Sequence, residues 1–128
     1  MINLLDLVAR ILISAVFLFS GINKTLHYSS TMQWMEGFGM SELLFFSAIF
    51  VEIVFSIFII LGYRVKLAAS LLALFCLATG FIFHLDFSSS VQNVELLKNL
   101  SLAGGLFFLA INGSRNFVLF KKKKYVKL

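Results

Sequence analysis

A single carboxylate, Glu52, sits near the middle of the apolar run LLFFSAIFVEIVFSIFIILGY, residues 43–63. At about 1.5 Å per helical residue, some twenty such residues cross a hydrocarbon core about 30 Å thick, which puts Glu52 near the bilayer midplane. A charge there costs about 2.5–3.5 kcal/mol on insertion scales, so the side chain must meet a partner or a cavity rather than lipid. Any fold for this chain has to supply that partner.

The rest of the chain offers little alternative to a membrane. Hydrophobic residues make up 60% of its 128 positions and charged residues only 13%, whereas soluble domains average about 45–50% apolar. So short a soluble chain has too little interior to hide that surface. The net charge of +5 is local, because Lys121, Lys122, Lys123, Lys124 and Lys127 cluster at the C-terminus. That placement suits contact with anionic lipid headgroups, not nucleic acid. Cys76 is the single cysteine, so no intramolecular disulfide, C-x-x-C pair or cysteine-rich metal site exists, and we read it as a packing residue. There is no proline, which excludes proline kinks and disfavours a transporter built on broken helices. Asp6 stands where a signal peptide needs positive charge, and no A-x-A site follows the first apolar run, so that run is expected to be retained as a helix.

Four apolar segments, about residues 4–22, 43–61, 67–83 and 96–111, predict an all-α integral membrane four-helix bundle. The loop between the first two carries Tyr28, Trp34 and Phe38, suited to the membrane interface, and has room for a short surface helix over part of residues 30–36. Residues 62–66 form a tight turn, which makes the second and third helices antiparallel neighbours. Gln92 or Asn93 is expected to help cap the fourth helix. Arg10, Arg64, Lys66, Arg115 and the five C-terminal lysines fall on one side, against Lys24 and Lys98 on the other. The positive-inside rule then places both termini in the cytoplasm (N-in/C-in), with residues 1–113 as the bundle domain and 114–128 as a basic cytoplasmic tail.

Helices in lipid associate through small residues and polar pairs. Helical spacing aligns Arg10, Ser14, Gly21 and Lys24; Ala48, Glu52 and Ser56; Ser70, Ala73, Gly80 and His84; and Lys98, Ser101, Gly105 and Asn112. The plain reading of such stripes is a packed bundle. Depth singles out Arg10 as the partner of Glu52. It lies roughly 9 Å in from one face, whereas Lys98 lies about 4 Å in from the other. A guanidinium also grips a carboxylate through two hydrogen bonds. The expected buried cluster is therefore Arg10, Ser14, Glu52, Ser56 and Asn99, with Lys24, His84 and Lys98 gathered separately at the outer mouth. Glu52 is then either one half of an ion pair that fixes helix register, or a proton-exchanging group beside a small ligand such as a quinone. A histidine-ligated haem or metal would need His27 beside His84; we assign no metal site and no catalytic residue.

These pieces, in this order, resemble the DoxX family of small four-helix membrane proteins, within the wider DoxX/DoxD-like group. The matching residues are the first-helix arginine with "SGINKTLHY", which includes Gly21 and Lys24. They continue with "VEIVFSIFIILGYRVKLAA", with its glutamate, glycine and basic turn, and with "LLKNLSLAGGLFFLA", with its Lys-Asn and Gly-Gly pairs; His84 closes the third helix. The similarity runs from Leu4 to Gly113, and the lysine-rich tail lies outside it. It implies a bacterial-type inner-membrane protein with a role near thiosulfate:quinone oxidoreduction, quinol oxidase or oxidative-stress assemblies. The expected function is thus a non-catalytic subunit or scaffold of a redox or stress-related assembly. The alternatives are a quinone-linked oxidoreductase subunit holding a lipophilic ligand near Glu52, and a small transporter or lipid-interacting protein. The partners expected are the bilayer, a protein of such an assembly, and further copies of the chain.

Overall fold

The structure, a computed structural model, describes residues 1–115 and Val118. Lys121, Lys122, Lys123, Lys124 and Lys127, expected at lipid headgroups, lie outside the described residues. Five helices follow in order: α1 (Ile2–Leu26), α2 (Tyr28–Glu36), α3 (Glu42–Leu61), α4 (Val65–Phe83) and α5 (Ser90–Asn112). Four of them, α1, α3, α4 and α5, have 25, 20, 19 and 23 residues and are long and apolar enough to cross a membrane. At about 1.5 Å per residue they measure about 28–37 Å. The fifth, α2, has 9 residues. It is the short helix expected in the first loop, begun two residues earlier.

The boundaries shift where polar residues continue a helix. The first helix runs through Leu26 and the last begins at Ser90, well outside the expected 4–22 and 96–111. An apolar window marks where lipid ends; the helix continues for as long as its backbone hydrogen bonds do. The cap of α5 is Ser89, whose Oγ accepts from the Gln92 N–H at 3.5 Å. Asn93 instead donates its side chain to the Phe87 carbonyl at 3.1 Å. At the other end of α3, Gly62 adopts φ 73°, and the Gly62 and Tyr63 N–H groups bond back to Ile59 and Phe58. Glycine makes that left-handed stop without strain. Arg64 follows, also left-handed at φ 44°, and starts α4. Two left-handed residues so close together reverse the chain.

The bundle closes along three seams: α1 on α3, α3 on α4, and α4 on α5; α1 and α5 barely touch. The buried faces of α1 (Arg10, Ser14, Phe17, Gly21) and α3 (Phe45, Ala48, Glu52, Ser56, Ile59) coincide with their small-polar stripes. On α5 the expected stripe is wrong. Lys98, Ser101, Gly105 and Asn112 are exposed, and Leu96, Ala103 and Leu106 are buried. The reason lies on α4, which already supplies the small residues Ala68, Ala69, Ala73, Cys76 and Gly80. Leu96 and Leu106 from α5 fill against them with Ala103 between, so a continuous stripe of small residues is not needed on the α5 side of that seam. A second apolar cluster, Met32, Met35 and Phe45, seats α2 on the bundle. Trp34 packs tilted on Phe83 and Phe38 meets it edge-on, at centroid distances of 4.8 and 4.9 Å, and together they hold α2 against the end of α4.

Candidate functional site

The site starts from a missing side chain. A Cβ at Gly21 would sit 2.6 Å from Ile53 Cγ1 and 3.3 Å from Glu52 Cβ. The absence of that atom lets α1 lie directly on α3 beside Glu52. Ser20 and Lys24 flank Gly21 on α1 and, four residues apart, share a face. The Lys24 ammonium donates to both Glu52 oxygens, at 2.8 Å to Oε2 and 3.0 Å to Oε1. Ser20 Oγ donates to Oε1 at 3.0 Å and accepts from Lys24 Nζ at 2.6 Å. The three groups close a triangle in which the carboxylate side chain is 5% exposed and the lysine 18%. Ser56, one turn along α3, donates its hydroxyl to the Glu52 backbone carbonyl.

The expected Glu52–Arg10 pair is therefore corrected: the cation at Glu52 is Lys24. Arg10 is buried, but it donates Nε to Asp6 at 3.0 Å and Nη1 to the carbonyls of Ile59 and Ile60 at 3.0 and 2.9 Å. Those carbonyls belong to the last turn of α3, where acceptors lack i+4 partners and the helix dipole is negative; that of Ile59 also accepts from the Gly62 N–H. Arg10 caps that helix end. The direction of side chains explains the exchange. Each Cα–Cβ bond leans toward the N-terminus of its own helix. Arg10 leans down α1, away from Glu52, while Lys24 leans inward from the far end of the same helix. Glu52, on the antiparallel α3, leans toward Lys24. A depth count that ignores this lean ranks the two cations the wrong way round.

Glu52 and Lys24 line a half-open cavity of about 230 Å³ at the α2 end of the bundle, to which all five helices contribute. Its polar wall is Ser20, Lys24, Glu52, Thr79, His84 and Asn99; Phe17, Trp34, Phe75 and Phe83 are its aromatic surfaces. Cys76 also borders it. His84 Nδ1 lies 2.6 Å from Gln92 Oε1, and Lys98 pairs with Glu95 at 2.6 Å, both residues lining the cavity. The structure thus merges the two expected clusters in part. Glu52 and Asn99 share one cavity with Lys24, His84 and Lys98, while Arg10 lines a second cavity at the opposite end. Ser14 and Ser56 line neither cavity; Ser14 Oγ is buried with no hydrogen-bond partner among the described residues.

Sequence reasoning missed Ser20, Glu95, Thr79 and the α2 residues Trp34 and Met35. Ser20 was findable, because it stands four residues before Lys24. Trp34 and Met35 carried no such signal, since their place depends on how α2 folds back. Outside the membrane spans, Tyr28 donates to Glu42 at 2.6 Å, and that bond raises the phenol above its ordinary value. Among the described residues no group of His, Cys, Asp and Glu could hold a metal.

The comparisons agree with this architecture. The DoxX family model matches residues 5–85. Inner membrane protein YqjF of Escherichia coli (strain K12) is 36% identical over 107 residues, covering 84% of this chain and 82% of that protein. Inner membrane protein YphA of the same organism is 31% identical over 114 residues, covering 84% and 81%. No solved structure matches the chain. The matched span takes in α1 from its residue 5 onward, α3 and α4, and therefore both partners of the Lys24–Glu52 pair, and on these grounds the chain belongs to the DoxX family.

Proposed function

We propose that this chain is a multi-pass inner-membrane subunit that holds a neutral, ring-sized lipophilic ligand of quinone type beside Lys24 and Glu52, in the service of a redox or stress-related assembly. The observation that carries the proposal is the cavity itself. A dry cavity of about 150 Å³ already admits benzene, so about 230 Å³ has room for one substituted ring. The ions at its wall are matched, Lys24 with Glu52 and Lys98 with Glu95. A charged ligand would have to break one of these pairs, whereas a neutral hydroxyl can donate to a free lone pair of Glu52, and a neutral carbonyl can take the Lys24 proton now given to Ser20, with the ion pair intact. Aromatic walls favour a flat ring. Both termini belong in the cytoplasm in this reading, with residues 114–128 as a basic tail on anionic lipid.

The second reading is a scaffold without a ligand. It is favoured by the completeness of the Lys24–Ser20–Glu52 triangle, which already satisfies the buried carboxylate. Purification in mild detergent, with extraction and mass analysis of lipophiles, separates the two. A stoichiometric quinone, depleted in Glu52→Gln and kept in Arg10→Lys, supports the ligand site. A ligand-free chain that retains a soluble protein partner supports the scaffold and overturns the ligand reading.

A further inference from the structure

The second cavity, about 440 Å³, lies at the opposite end of the bundle from Glu52. It occupies the one seam that the helices leave open, between α1 and α5. Its walls are apolar and open to the bundle surface: Ala9 and Ile13 on α1, Gly105 and Phe108 on α5. Gly105 is the floor, with Ile13 Cδ1 only 3.1 Å from where a Cβ would stand. Its mouth is charged. Asp6, Arg10 and Arg115 line it, and the stem of Lys66 lies against Gly113 at the same rim, its Cε 3.1 Å from the place of a Cβ. Asp6 is already engaged, accepting from Arg10 Nε at 3.0 Å and from the Arg115 backbone N–H at 3.3 Å. The rim thus carries the three cations Arg10, Lys66 and Arg115 against the single carboxylate of Asp6, and it is positive.

We propose that this cleft is a binding site for one anionic phospholipid, with an acyl chain between α1 and α5 and its phosphate at Arg115 and Lys66. An apolar slot that ends in excess positive charge matches an acyl chain joined to a phosphate. A second copy of this chain fits less well, because it would bring the same positive rim against the first. The bundle gains from such a lipid, since the acyl chain supplies packing that α5 does not give to α1. The site is independent of the Glu52 cavity.

The test uses the full chain in mild detergent, with native mass spectrometry after addition of phosphatidylglycerol, phosphatidylcholine or inorganic phosphate. One phosphatidylglycerol per chain should survive activation in preference to phosphatidylcholine. Retention should fall by about five-fold for each cation removed, in Arg115→Gln and Lys66→Gln, as expected for about 1 kcal/mol per basic residue near anionic lipid. Ala9→Phe keeps every charge and fills the slot, so it should also lower retention. Ala9, Lys66 and Arg115 are exposed, and all three variants should fold. Equal retention of the two lipids, insensitivity to the charge variants, insensitivity to Ala9→Phe, displacement of the lipid by inorganic phosphate alone, or a dimer in place of lipid adducts would each overturn the proposal.

Discussion

Lys24 and Glu52, 28 positions apart in sequence, meet at 2.8 Å across the α1–α3 seam. Their burial differs, and the cost of losing each partner should differ with it. Lys24→Met strands a carboxylate that is 5% exposed, and an orphaned buried charge costs up to about 3–5 kcal/mol. Glu52→Gln strands a lysine that is 18% exposed, and its flexible stem can carry the ammonium outward. Thermal unfolding in detergent should therefore rank Lys24→Met below Glu52→Gln. The double variant Lys24→Met/Glu52→Met should regain much of the loss. A double variant as unstable as Lys24→Met would show that the pair does more than neutralise charge.

The close approach at Gly21 makes a paired prediction about glycines. Gly21→Leu drives a side chain into Ile53, whose Cγ1 would already be 2.6 Å from the Cβ. Overpacking of this kind costs about 1–3 kcal/mol, and here it also parts Lys24 from Glu52. Gly104→Ala meets nothing within 4 Å among the described residues. It should be neutral or stabilise α5 by about 0.5–1 kcal/mol through helix propensity. Unfolding midpoints, measured side by side, should fall for Gly21→Leu and hold or rise for Gly104→Ala.

Arg10 should behave as a helix cap. Its Nη1 satisfies the carbonyls of Ile59 and Ile60, and hydrogen bonds from a charged donor are worth about 1.5–3 kcal/mol each. Arg10→Met should lower stability by at least one such bond and loosen the last turn of α3, read as faster amide exchange at Gly62 and Tyr63. Arg10→Lys should recover part of that stability, because a lysine can reach a carbonyl but lacks the fork. Neither variant should alter occupancy of the Glu52 cavity once folded.

Much of this was legible from the chain alone. Continuous apolar runs predicted all four long helices, and the buried faces of α1 and α3 followed from spacing. The need to find Glu52 a partner was also plain. The identity of that partner was misjudged for a specific physical reason. Lys24 falls beyond the apolar window of α1, so it reads as a residue of the outer mouth even though helical spacing aligns it with Gly21, and the lean of its side chain toward the helix N-terminus is what carries it inward. The α5 face was misread because small residues signal packing only when the opposing helix is bulky, and α4 is not. The cavity was not legible at all, since it depends on α2 folding back so that Trp34 and Met35 face His84 and Asn99.

The loop between α4 and α5 supplies a pH marker outside the membrane spans. Asp86 accepts from the Ser88 hydroxyl at 2.5 Å and from its N–H at 3.1 Å. Those bonds, the hydroxyl first, hold its carboxyl below the ordinary value of 3.8. A depressed acid favours its ionised form in the fold. Its contribution is thus complete above about 3.8 and fades as pH falls through the lower folded value. The Asp86 side-chain carboxyl signal, followed by NMR, should titrate below 3.8 and return toward it in Ser88→Ala.

Cys76 offers an internal test of the cavity, because it is the only cysteine in the chain and it is buried while bordering the space beside Glu52. Any reagent that modifies it has to arrive through that space. A small methanethiosulfonate should therefore label the folded protein slowly, and a bulky maleimide more slowly still. A short-chain quinone should protect Cys76 in the native protein, and the protection should weaken in Glu52→Gln, because the variant keeps the walls but loses the carboxylate that orients the ligand. Phe75 and Phe83 stay in place in that variant, so the route to the sulfur is unchanged. Labelling that ignores the quinone in both proteins would mean that the ring does not enter between α1, α3 and α4. The Lys24–Glu52 pair would then serve only to fasten the first two spans together.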